Sequence, residues 1–205
     1  MSSILAVTLA ALCLNPPYPL DQAMREVPTR GKLTCERGHL VRYAGEALKY
    51  RKAVLVHPAF KERLRRLEAI AKEVAIEIYG RAPKAIVHMG TYNCRRIRSM
   101  PHLMSEHALG NAIDVAGFDF APLHKDILPP EGLSKRHRRA FKVRMKKHWD
   151  ASGRDARHAH FLKTLARRVT KAQVFRVALG PAWPGHHDHF HFDMAPYTLV
   201  KIFKD

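Results

Sequence analysis

Between Pro58 and Gly80 the chain reads PAFKERLRRLEAIAKEVAIEIYG, with Phe60, Leu64, Leu67, Ala71, Val74 and Ile78 at helical spacing. Apolar residues at these intervals share one helix face, proline is tolerated at the first helical position, and glycine closes the run. The pattern predicts a helix over 58–80. Lys84 to Cys94, KAIVHMGTYNC, is rich in β-branched and aromatic residues and predicts a strand running into a loop. NAIDVAGFDF, from Asn111 to Phe120, predicts a second strand. Ser134 stands before KRHRRAFKVRMKKHW, which predicts a capped, very basic helix over 135–149. HFLKTLARRVTKAQVFRVAL predicts another helix over 160–179, stopped by Gly180 and Pro181. DHFHFDM, over 188–194, alternates polar and aromatic residues, the period of a half-buried strand. Strands and helices in this order, without regular βαβ alternation, predict an α+β fold: a small antiparallel sheet with flanking helices.

Composition narrows the picture. A chain of 205 residues with an apolar fraction of 46% and two tryptophans suits one folded domain with a proper core. The formal net charge of +18 predicts attraction to polyanions such as nucleic acid, anionic membranes or acidic wall polymer. Eight of the fourteen residues from Lys135 to His148 are Lys or Arg, with Phe141, Met145 and Trp149 interleaved to Trp149. Such a surface fits the cell wall or an anionic envelope polymer, and equally fits nucleic acid.

The apolar run from Ile4 to Leu14 is too short to span a bilayer and suits the core of a secretory signal, although no Lys or Arg precedes it. A buried N-terminal element is the alternative. The proline-rich stretch from Asn15 to Pro19 reads as a break, so residues 1–20 are predicted to be an export segment and 21–205 a single domain in the periplasm or envelope. Cys13 lacks the small preceding residue of a lipoprotein site. Cys35 and Cys94 then remain, a number that permits one disulfide in an exported chain, and neither lies in a CxxC zinc arrangement.

The chemistry concentrates in two stretches. PGHHDHFHFD, from Pro184 to Asp193, holds four histidines and two aspartates. On a strand, His187, His189, His191 and Asp193 share one face while Phe190 and Phe192 point into the core, a rigid mount. Taken alone, this row fits a metal site and a solvent-facing histidine row equally well. SEHALGNAID, from Ser105 to Asp114, presents His107 and Asp114 across a glycine turn at Gly110. Alone it also reads as an ordinary turn with a capping aspartate. Together the stretches supply imidazoles and a carboxylate, and a catalytic zinc takes three N/O protein ligands with one open position.

SEHALGNAID resembles the serine–histidine–aspartate signature of the zinc D-Ala-D-Ala peptidase superfamily, which includes penicillin-insensitive murein endopeptidases. GHHDHFHFD resembles the histidine pair that closes the site in the endopeptidase branch. With TYNCRR, FLKTLARR and LGP in the same order, residues 84–197 look most like the extensin-like C-terminal domain family of bacteria.

The resemblance implies a D-Ala-D-Ala metallopeptidase-like fold with Zn2+ held by His107, Asp114 and His191. It places His189 beside the attacking water, where other members use a glutamate. Ser105 is implied to help hold the substrate, and Arg95, with Arg96 beside it as a competing assignment, to lie near the substrate's carbonyl or carboxylate. A further cysteine that the family pattern carries ahead of LGP is missing here, so Cys94 is left to pair with Cys35 or to stay free. Asp188 or Asp193 can fix a histidine tautomer, and His186 and His187 are left in supporting places.

The implied activity is hydrolysis of peptidoglycan stem peptides or cross-links, of carboxypeptidase or endopeptidase type. A catalytically silent zinc-binding wall domain and a basic nucleic-acid-binding protein are the alternatives.

Overall fold

The computed structural model describes residues 17–204; the apolar run Ile4–Leu14 and Cys13 lie outside the described residues. In chain order it places β1 (Val41–Tyr43), β2 (Val54–Val56), α1 (Pro58–Tyr79), β3 (Ala85–Gly90), β4 (Arg96–Ile97), β5 (Met100–Met104), β6 (Ala112–Phe120), α2 (Lys135–Arg138), β7 (Phe141–Arg144), α3 (Met145–His148), α4 (Ala156–Lys171), β8 (Val177–Leu179), β9 (Phe190–Asp193) and β10 (Leu199–Lys201). The fold is α+β, as its sequence predicts. None of the described helices is long and apolar enough to cross a membrane.

The main sheet runs β10-β8-β9-β6-β3, antiparallel throughout except between β10 and β8. β6 is its spine. One edge pairs with β3; the other pairs with β9 over Ala112–Val115 and with β7 over Gly117–Phe120. Gly117 sits where the second edge changes partner, with φ at 153°, and a side-chain carbon there would stand 2.1 Å from the Val143 carbonyl oxygen. Only glycine lets β7 approach this closely.

Ile113, Val115, Phe190 and Phe192 are fully buried on one face of the sheet, in the same core as Phe60, Leu64 and Leu67 of α1 and Phe161 and Leu165 of α4. Phe118 meets Phe161 edge-on at 5.1 Å, and Phe175 stacks on Phe192 at 4.8 Å. α1 begins where the His57 ring accepts the Ala59 N–H at 3.2 Å and ends at Gly80 in the left-handed conformation. This matches the helix predicted over 58–80.

Two predicted helices are corrected. The basic segment 135–149 is two single turns, α2 and α3, separated by the strand β7. Phe141 and Val143 alternate with polar residues, Val143 enters the core, and Phe141 stacks on Phe120 at 4.6 Å. The free half-edge of β6 overrides the helical preference of the flanking lysines and arginines. The second helix starts at Ala156 and stops at Lys171 rather than spanning 160–179. Gln173 turns the chain with φ at 47°, and the wholly buried Val177–Leu179 forms β8 between β9 and β10. An apolar triplet flanked on both sides by strands reads as a buried strand, although its length alone leaves helix open.

The N-terminal region straps the site half of the molecule. Tyr18 and Leu20 are buried, Asp21 pairs with Arg176, Val27 N donates to the His102 carbonyl, and Met104 N donates to that of Arg25. Cys35 and Cys94 form a disulfide.

Candidate metal centre

Asp114 and His191 are direct cross-strand partners on β6 and β9, on the face away from the helices. Cross-strand partners bring their side chains together, and His191 Nδ1 lies 2.9 Å from Asp114 Oδ1. His107 enters from a 3-10 turn, Glu106–Leu109, closed by Gly110 at φ 63°. A side chain on Gly110 would meet Leu40 at 2.7 Å and the His57 nitrogen at 3.0 Å, so the turn needs glycine twice over. Ser105 Oγ accepts the His107 N–H at 3.4 Å, capping the turn. Beneath it a buried chain of donors holds the turn: Tyr18 O–H to Asn111 Oδ1 at 2.5 Å, Asn111 Nδ2–H to Glu106 Oε2 at 2.5 Å, and Arg25 Nε–H to Glu106 Oε1 at 2.5 Å.

The outer ring nitrogens settle the tautomers. His107 Nδ1–H donates to the Thr91 carbonyl at 2.8 Å, leaving Nε2 as a lone pair. His191 Nε2–H donates to Asp193 Oδ2 at 2.7 Å, leaving Nδ1 as a lone pair, and Asp193 is itself held by the Ala195 N–H at 2.8 Å. His107 Nε2 stands 3.2 Å from His191 Nδ1 and 3.3 Å from Asp114 Oδ2. Two lone pairs and a carboxylate thus converge with no donor of their own between them. Ligand atoms of a tetrahedral zinc with bonds of about 2.1 Å stand about 3.4 Å apart, close to these separations. The donor set fits a zinc ion.

The same convergence draws in a proton when no metal competes. Burial disfavours charge on both His191 and Asp114. The hydrogen bonds and charges of Asp114 and Asp193 outweigh it at His191, whose pKa is pushed up to about 9. Those of His107 and His191 outweigh it at Asp114, whose carboxyl is held well below the usual carboxylate range.

His189 precedes β9 instead of lying within it, which corrects the strand predicted from 188. Its Nδ1–H donates to Asp188 Oδ1 at 2.8 Å, and its Nε2 faces Asp114 Oδ1 at 3.6 Å. Both aspartates of the stretch therefore orient a histidine. The His186 ring lies 4.9 Å from that of His189 and 5.7 Å from that of His191, against the centre, while His187 is exposed.

Of the adjacent arginines, Arg96 is consumed by the carbonyls of Pro28, Arg30 and Gly31 at 2.7–3.1 Å. Arg95 is exposed and, among the described residues, its guanidinium has no acceptor. Of the two, Arg95 is the one without an acceptor among the described residues. Ser105 is buried under the turn rather than on an open wall, 5% exposed. The Thr91 carbonyl and the Asn111 network were not among the residues singled out from the sequence. A backbone acceptor leaves no residue-type signal, and Asn111 differs from an ordinary strand-start asparagine only through its partners.

A second histidine–aspartate group, His148, Asp155 and His158, also has its ligand atoms within 4.8 Å of one another. It differs at His148 and in the guanidinium lodged among its members. The Arg144 N–H donates to His148 Nδ1 at 2.9 Å, which puts the proton on Nε2. Tyr79 O–H donates to the Arg157 carbonyl and so accepts from His158 Nδ1–H at 2.8 Å. The Arg136 guanidinium pairs with Asp155 and reaches His158 Nε2 at 3.5 Å and His137 Nε2 at 3.2 Å. A permanent cation already fills the place a metal would take, and burial with the neighbouring positive charges pushes His158 down to about 3 and His137 to about 4.

Comparison with known proteins places the chain. A family model described as the C-terminus of extensin-like proteins matches residues 12–202, nearly the whole length, and the chain belongs to that family. No curated protein and no solved structure matches it.

Proposed function

We propose that this member of the extensin-like family is a zinc-dependent peptidase of the D-Ala-D-Ala metallopeptidase kind, acting on peptidoglycan stem peptides or cross-links. The observation that carries the reading is the convergence of His107 Nε2, His191 Nδ1 and the Asp114 carboxylate, with a further histidine base at its edge. A zinc ion there would supply an electrophile that polarises a peptide carbonyl and acidifies water.

The chain's own residues do the rest. With its Nδ1 proton committed to Asp188, His189 keeps a lone pair on Nε2 facing the centre, where it can take a proton from the attacking water and return it to the leaving amine. Asp188 and Asp193 fix the two tautomers on which this depends. Arg95 carries an uncommitted guanidinium able to neutralise a substrate carboxylate or the developing oxyanion. Ser105 acts by capping the turn that carries His107. The Cys35–Cys94 disulfide supports an oxidising compartment, and so export.

The test pairs metal analysis with digestion of purified sacculi. One zinc per chain, lost in His107→Ala, Asp114→Ala or His191→Ala, together with new amino groups released by the wild-type protein, is the expected result. Zinc-loaded protein that releases no more amino groups than His189→Ala overturns the enzymatic reading and leaves a silent zinc-binding wall domain.

A further inference from the structure

We infer that a band of lysines along two adjoining clefts, which share Lys147 and open at the Phe120 end of β6, holds a polymer bearing carboxylates on a saturated, non-aromatic backbone. The inference extends the proposed function to its substrate, but what the band binds is measurable without turnover.

Two clefts make the band. One, of about 1060 Å³, lies at the Phe120 end of β6 and is rimmed by Lys49, Lys84, Lys142 and Lys147. The other, of about 360 Å³, is lined by Lys146, Lys147, Lys204 and His187. Lys147 belongs to both, so they are contiguous, and His187 stands two residues from the base His189.

Its charge is not cancelled by the protein. The one carboxylate in the larger cleft, Asp119, is taken up by Arg51 at 2.5 Å and Arg144 at 2.6 Å. The one in the smaller cleft, Asp150, lies 3.6 Å from Lys163. Among the described residues, Lys84, Lys142 and Lys147 have no carboxylate partner. Like charges gathered in a concave band repel one another, and a bound polyanion relieves that repulsion.

The chemistry of the walls selects the kind of polyanion. Single-stranded nucleic acid is gripped by stacking bases on open aromatic faces. Here Phe141 is stacked on Phe120 and covered by Arg81 at 5.0 Å, and Tyr50 is buried. Trp149 is 7% exposed, packed on Phe190 and Phe203 with the Lys163 ammonium over its ring. No phenylalanine, tyrosine or tryptophan face in either cleft is open for a base to stack on. The free cations are lysines, which act as point charges without the planar fork by which arginine reads a carboxylate or phosphate bidentately.

The test compares pelleting of the full chain with native sacculi and with sacculi whose carboxylates have been amidated, using single-stranded DNA as competitor. Native sacculi are expected to bind in a salt-sensitive way and amidated sacculi to bind poorly. The triple variant Lys84→Glu, Lys142→Glu, Lys147→Glu is expected to lose about tenfold in affinity at low salt. Equal binding of amidated and native sacculi, unchanged binding by the triple variant, or full displacement by single-stranded DNA at matched charge each overturns the inference. Wild-type protein that binds native sacculi without cleaving them overturns the peptidase reading and leaves the band intact.

Discussion

His191 Nε2 lies 2.7 Å from Asp193 Oδ2, two residues along the same strand face, so one short stretch supplies both a ligand atom and the group that turns it inward. Asp193→Asn tests this pairing. The amide can keep the Ala195 N–H on its oxygen, and its NH2 then donates to His191 Nε2, moving the ring proton to Nδ1 and into the centre. Zinc affinity should fall about 10- to 100-fold with the fold intact, measured by competition with a chromophoric chelator alongside circular dichroism.

His189 is placed as a base, not a ligand. His189→Ala should retain one zinc per chain while the rate on sacculi drops about a hundredfold or more. Loss of the metal with the activity would move His189 into the ligand set. Metal content and rate on the same preparation decide it.

Cys94 sits between two backbone bonds to the turn that carries His107: Asn93 N–H to the His107 carbonyl at 3.1 Å and Ser105 N–H to the Arg95 carbonyl at 3.0 Å. Breaking its link to Cys35, 59 residues away, should cost about 4 kcal/mol by chain entropy and loosen that turn. The double variant Cys35→Ser, Cys94→Ser should show a lower melting temperature, faster hydrogen exchange at Asn93 and Ser105, and weaker zinc binding.

The histidines around Arg136 predict acid sensitivity. Burial, reinforced by neighbouring cations, depresses His158 to about 3 and His137 to about 4, and burial also lowers His148. An unfolded histidine titrates near 6.5. Below that value the unfolded chain takes up protons that the native state refuses, so the stability these groups contribute is present above about pH 6.5 and is lost as pH falls toward 4. Melting temperature across that window should fall with a slope that His158→Gln reduces. The same variant should leave zinc content at one per chain, because the Arg136 guanidinium closes this group to a second ion.

How far the sequence reveals this depends on where each signal is stored. The α1 helix, β6 and the aromatic alternation of β9 are written in local periodicity, and the two site stretches in residue type and spacing. β7 and β8 are not, because each exists through a partner distant in sequence: the vacant half-edge of β6 for Phe141–Arg144, and β9 and β10 for Val177–Leu179. The choice between Arg95 and Arg96 likewise hangs on three carbonyls at Pro28–Gly31 that no motif marks. The two histidine–aspartate groups look alike as compositions and differ in their partners: the Arg136 guanidinium lodges in one and no cation of the described residues in the other.

The pairing of Asp114 with His191 also constrains how such a site can diversify. Sliding β9 by one residue against β6 would send His191 into the core and Phe190 or Phe192 out to the ligand face. Chelation and core packing thus share one register, and an insertion or deletion within either strand forfeits both together. Length can change without this loss only in the loops around the centre, where the ligands stay in place.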